Sequence, residues 1–206
     1  MHRFFRILFC GSLICITLFS CDEDFTTLTE EGDGTSDLGC TPNPDPEYIL
    51  PFTPGSSFTL LQGNCSSFNH LNDLRYAYDF AMPIGTPVIA ARNGIVNFIE
   101  EGFTDNDHQI DHVNVVTIDH IDGTFARYQH LTHNGVLVDL GSVVSTGDTI
   151  ALSGFTGFAE EPILHFDVSK CIGDCSSSET QSISFENANP AVVDQEEVRY
   201  LAEPFN

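Results

Sequence analysis

From Tyr76 to Met82 every second residue is large and apolar: Tyr76, Tyr78, Phe80 and Met82, with Ala77, Asp79 and Ala81 between them. Successive side chains of a strand point to opposite faces, so this spacing predicts a strand whose aromatic face is core. The other face is a shallow floor with one carboxylate, Asp79, in its middle. Small neighbours leave room beside it for a ligand or metal. Pro83-Ile84-Gly85 is turn chemistry, Thr86–Ala91 reads as the next strand, and Asn93-Gly94 signals a hairpin returning through Ile95–Ile99. The chain is organised around this stretch, Leu74–Val96.

Strand signals dominate elsewhere. Ser57–Gln62 alternates, and Val113–Asp119 and Thr124–His130 flank a turn at Ile121-Asp122-Gly123. Gly135–Val138 and Thr149–Ser153 are short strands bounded by glycine. Leu164, Phe166 and Val168 alternate with Ile163, His165 and Asp167, and Ser182–Phe185 reads as a last strand. No stretch holds a helical period. The pattern predicts an all-β domain of antiparallel strands and hairpins, packed as two sheets.

The start of the chain reads differently. His2, Arg3 and Arg6 form a basic segment, and Ile7–Phe19 is apolar but short for a bilayer span. Met1–Ser20 is expected to be a secretory signal. Leu18-Phe19-Ser20-Cys21 looks like a bacterial lipobox, which makes Cys21 the expected lipidated residue and outer-membrane anchoring in the bacterial cell envelope the expected location. Residues 21–47 are acidic and rich in Gly, Pro, Ser and Thr, as expected of a flexible tether. Residues 48–206 form the expected β domain, long enough for a real core.

Charge and cysteines narrow the classes. The chain has 7 Lys and Arg against 30 Asp and Glu; two basic residues leave with the signal, so the mature charge is 5 − 30 = −25. Such a surface repels nucleic acid and anionic membrane, leaving the lipid as the expected membrane contact. Setting aside Cys10, Cys15 and Cys21, the cysteines are Cys40, Cys65, Cys171 and Cys175. In an exported protein these are expected as two disulfides, Cys40–Cys65 and Cys171–Cys175. A metal role for Cys171 and Cys175 is weaker, because no nearby pair or His completes a tetrahedral set.

The mature histidines are His70, His108, His112, His120, His130, His133 and His165. His130 shares a strand face with Thr124, Ala126 and Tyr128. His165 lies on the non-core face of its strand, as Asp79 does on its own. Two histidines and a carboxylate with an open fourth position make a common hydrolytic zinc site.

Several motifs occur in order: Asp79-Phe80-x-Met82-Pro83-x-Gly85-Thr86-Pro87-Val88; Asn114…His120-x-Asp122-Gly123-Thr124…Tyr128-x-His130-Leu131; Gly135…Val138…Gly141…Val144…Gly147-Asp148; Ser153-Gly154-x-Thr156-Gly157; and Pro162-x-Leu164-His165-Phe166. From about Pro51 to Val168 the chain resembles the lysostaphin/LytM-type zinc metallopeptidases, which cleave peptide cross-links of bacterial cell walls. The resemblance implies a Zn2+ cofactor and peptidoglycan peptides as partners. It carries Asp79 and His165 over as metal ligands. In the simplest members the first ligand His precedes the Asp by four residues, where this chain has Arg75. His70 is the expected ligand instead, with Asp73 or a water as substitute. His130 carries over as catalytic.

One position departs from the family. The first His of its His-x-His is Ile163 here, and isoleucine can neither deprotonate a water nor stabilise an oxyanion. Three readings follow: a hydrolase working with His130 alone or with a His lent by His133 or His108; a silenced member that binds zinc and cell-wall peptide or regulates a partner hydrolase; and a purely structural domain. The polar groups kept around one spot argue against the last. Ser153 reads as turn material, and one of Arg75, Arg92 and Arg127 is a candidate for a substrate carboxylate.

Overall fold

Alternation of the kind seen at Tyr76–Met82 builds nearly the whole molecule. The computed structural model describes residues 40, 43, 47–66, 70–172, 177–191 and 193–206. The expected signal, Cys21 and Cys175 lie outside the described residues, and with them the Cys171–Cys175 pairing. Thirteen strands occur among the described residues: β1 (Ser57–Gln62), β2 (Ala77–Ala81), β3 (Pro87–Ile89), β4 (Gly94–Glu100), β5 (Val115–Asp119), β6 (Thr124–Gln129), β7 (Leu131–Val136), β8 (Val143–Val144), β9 (Thr149–Ser153), β10 (Ile163–Ile172), β11 (Ser177–Thr180), β12 (Ala188–Asn189) and β13 (Arg199–Ala202). One 3-10 turn, Asn72–Leu74, is the helical element among them.

A ten-stranded sheet runs β12-β13-β1-β2-β10-β6-β5-β4-β8, with β11 also on β10, and a three-stranded sheet runs β3-β9-β7. The pairings between named strands are antiparallel. The all-β, two-sheet architecture expected from the pattern is present.

The core lies between the sheets. Tyr78 and Phe80 of β2, Leu164 and Phe166 of β10, Tyr128 of β6 and Ile118 of β5 meet Val88, Leu131 and Ile150 of the smaller sheet. The buried hydroxyls are satisfied: Tyr78 donates to the Ile183 carbonyl at 3.1 Å, and the Ala91 amide donates to Tyr128 Oη at 2.8 Å.

Three local expectations fail. Asn93-Gly94 does not close a hairpin, because β3 pairs with β9 while β4 pairs with β5 and β8. A two-residue type I′ turn needs positive φ at both positions, and neither residue has it. Gly94 serves close approach instead, since a Cβ there would strike the Asp119 carbonyl oxygen. Ser182–Phe185 is not a strand; Phe185 makes one isolated bridge to Tyr48, and the strands of this region are β11 to β13. The Asp79 face of β2 is not an open floor either, as Ala77 is fully buried and Asp79 nearly so.

Cys40 and Cys65 are joined by a disulfide. Ser184 Oγ donates to the Asn43 carbonyl at 2.6 Å. These contacts tie Cys40 and Asn43 to the domain.

Two measurements check this packing. Phe166→Ala should cost about 3–5 kcal/mol in denaturant unfolding, because a fully buried ring is removed from a close-packed core. His120 is buried, its Nδ1 lies 2.8 Å from the Asn93 carbonyl, and burial lowers its pKa from 6.5. Below that value the unfolded chain binds the proton more readily than the folded one, so stability falls as pH drops through it. A His120→Gln variant should lose less stability between about pH 7 and pH 5, read from unfolding curves at each pH.

Candidate metal centre

The register of β2 against β10 places Asp79 directly opposite His165. Asp79 Oδ1 lies 2.7 Å from His165 Nδ1. His70 arrives from the segment between β1 and the 3-10 turn. Its Nδ1 is 2.8 Å from the Gly63 carbonyl, which can only accept, so Nδ1 donates there and Nε2 is the nitrogen that faces the cluster. That Nε2 is buried, 3.3 Å from Asp79 Oδ2, with no hydrogen bond of acceptable geometry. Ligand atoms of His70, Asp79 and His165 all lie within 4.8 Å of one another, and all three residues are buried. Asp73 is outside this group. The Arg75 carbonyl accepts from the Cys65 amide at 2.7 Å.

Burial works against charge on Asp79, but His165 and then His70 outweigh it and hold the carboxyl well below its usual range. Burial likewise opposes the His165 proton, and Asp79 with Asp167 overcomes it, pushing the imidazole up to about 9. Without metal, then, a protonated ring sits between two carboxylates. The donor set fits zinc on this chain's own geometry: two imidazole nitrogens and a carboxylate converge, one nitrogen is buried without a hydrogen-bond partner, and His165 can release its Nδ1 proton to solvent when an ion takes that place.

Asp167, absent from the expected site, lies at the back of His165. Alternation along β10 puts both on one face, and β6 places Arg127 opposite Asp167. That register was the available signal. Arg127 Nε reaches the two carboxylate oxygens at 3.0 and 2.9 Å. Arg127 is thereby engaged inside the fold, and Arg92 pairs with Asp122 at 2.8 Å.

His130 reaches the site by breaking the strand pattern. Continued alternation would carry it to the Tyr128 side, which is core. Instead β6 ends at Gln129, His130 takes φ 61° and the chain crosses to β7 in the other sheet. Its ring then stands edge-on to His165, 6.2 Å between centroids. Nδ1 is 2.7 Å from the Thr156 carbonyl, so it donates, and Nε2 is left with its lone pair. Burial and then His165 lower its pKa, favouring the neutral ring. Among the described residues, ring contacts to His165 come from His70 and His130. His108 lies against the Ala159 carbonyl at 3.2 Å, and His133 is exposed on β7. Ile163 is buried opposite Ala81 and brings no polar atom. Ser153 is a turn brace, its Oγ donating to the Pro83 carbonyl at 2.7 Å.

Gly157 packs beside Val113 and His130 in a backbone conformation that favours glycine. It has φ +75°, and a Cβ there would strike Val113 Cγ2 and approach His130 Nδ1 to 3.5 Å. Gly157→Ala should destabilise by at least about 1–2 kcal/mol and shift the His130 ring resonances, checked by unfolding and NMR.

Residues 73–181 match the model of Peptidase family M23, more than half of the chain, and the chain belongs to that family. An uncharacterized metalloprotease of Buchnera aphidicola subsp. Baizongia pistaciae (strain Bp) is 35% identical over 108 residues, covering 51% of this chain and 26% of that protein. The peptidoglycan DD-endopeptidase ShyA of Vibrio cholerae serotype O1 is 41% identical over 90 residues, covering 44% of this chain and 19% of that protein. The chain thus spans about a quarter or less of these curated relatives. Among solved structures, lysostaphin from Staphylococcus simulans is similar at 26% identity and TM-score 0.48, over 66% of this chain and 51% of that one. A catalytic domain of the prophage-encoded M23 protein EnpA from Enterococcus faecalis is similar at 23% identity and TM-score 0.49, over 64% and 94%.

Proposed function

We propose that this domain is a zinc-dependent metalloendopeptidase that cuts peptide cross-links of the bacterial cell wall. The observation that carries the reading is the convergence of His70 Nε2, the Asp79 carboxylate and His165 Nδ1 beside the His130 ring. Membership of Peptidase family M23 and similarity to a protein named as a peptidoglycan DD-endopeptidase support it. Lipidation at Cys21, expected from the leader, would keep the domain in the cell envelope beside that substrate.

His70, Asp79 and His165 would hold the zinc. When bound, it supplies Lewis acidity, polarising a carbonyl and acidifying a water. The remaining chemistry falls to the side chains. His130, held by its Nδ1–H on the Thr156 carbonyl, presents Nε2 to take a proton from the attacking water. It returns that proton to the leaving amine as the peptide bond breaks. No side chain among these is an activated nucleophile, so water attacks directly.

Ile163 favours a second reading, a silenced member that binds zinc and cell-wall peptide or regulates a partner hydrolase. Loss of a base or an oxyanion donor typically lowers rate about 10²–10⁴-fold. Release of new amino groups from purified peptidoglycan separates the two. The hydrolase reading expects chelator-sensitive release by the natural protein, with Ile163→His raising it on the order of 10²-fold. Release by Ile163→His alone would leave the binder standing. No release by either, with one zinc bound per chain, would exclude peptidoglycan as substrate.

A further inference from the structure

We propose that Asp167 is a positioning residue that accepts a hydrogen bond from Nε2–H of His165 and so reserves His165 Nδ1 for a metal ion. The inference rests on the metal reading above and assigns the residue that makes His165 a competent ligand.

An imidazole binds an ion through one nitrogen, and the hydrogen must then sit on the other. His165 Nδ1 faces Asp79 and the cluster, while Nε2 faces Asp167 Oδ2 at 3.2 Å. Asp167 is fully buried, where a carboxylate is costly unless its oxygens are used. They are used. Ser169 Oγ donates to Oδ1 at 2.6 Å, and Arg127 Nε spans both oxygens. These contacts fix the carboxylate plane and leave Oδ2 aimed at the imidazole. Every member comes from strand register: His165, Asp167 and Ser169 are alternate residues of β10, and Arg127 is the β6 partner of Asp167. Arg127 also offsets the charge of Asp167, so the carboxylate orients His165 without leaving a net negative charge beside the ligands.

Asp167→Asn keeps the volume but sets an amide hydrogen against Arg127 or His165. Ser169→Ala removes one brace and keeps the carboxylate, and it is the milder change should the first variant fail to fold. Zinc affinity is measured on the metal-stripped protein by competition with a chromogenic chelator. The His165 ring nitrogens are followed by 15N NMR of the zinc-loaded protein. The expected result is an affinity about 10–100-fold weaker in Asp167→Asn, a smaller loss in Ser169→Ala, and loss of the protected Nε2–H signal of His165 in Asp167→Asn. A merely structural role would lower the unfolding midpoint without moving that signal. Wild-type affinity and an unchanged His165 signal in both folded variants would overturn the proposal. Failure of the natural protein to bind zinc would instead overturn the metal reading on which it rests.

Discussion

A carboxylate and an imidazole face each other across the β2–β10 ladder, and that register is the constraint on which the site is built. The pairing that opposes Asp79 to His165 also opposes Phe80 to Leu164 and Tyr78 to Phe166 on the other face. A slip of one residue would turn the aromatics away from the core and the polar groups into it. Hydrophobic burial therefore enforces the alignment of the site. The polar face, once closed over, imposes its own demand, because Asp79 and Asp167 cannot be buried as charges without partners. His70, His165, Arg127 and Ser169 are those partners, and they arrive from two strands and one loop.

The cluster holds positive charge whether or not metal is present. In the metal-free chain that charge is the proton on His165, between Asp79 and Asp167. A zinc ion would take over its role with respect to Asp79, while Nε2–H continues to face Asp167. Ile163, buried opposite Ala81, brings no polar atom to this cluster. The chain thus brings His70, Asp79 and His165 together, with the His130 ring beside them.

Much of this was legible in the chain. Alternation identified β1, β2, β10 and the β5–β6 hairpin, and it put Asp79 and His165 on non-core faces. The His70 assignment needed family resemblance, because its place depends on contacts such as that with the Gly63 carbonyl, which no periodicity encodes. Asn93-Gly94 misled because turn propensity is local, whereas the chain there changes sheets under a packing constraint at Gly94. His130 was named from its motif but placed by strand alternation on the wrong side of its strand; one residue with positive φ reversed it. Asp167 was overlooked because its meaning lies in cross-strand register with Arg127, and register appears only when two strands are set side by side.

Zinc-edge X-ray absorption on the zinc-loaded protein tests the site most directly. Two imidazole nitrogens at about 2.0–2.1 Å and carboxylate oxygen at about 2.0–2.2 Å, in a four-coordinate shell without sulfur, are the result expected of His70, Asp79 and His165. A sulfur shell at about 2.3 Å, or a shell of oxygens alone, would place the metal elsewhere on the chain and contradict the assignment.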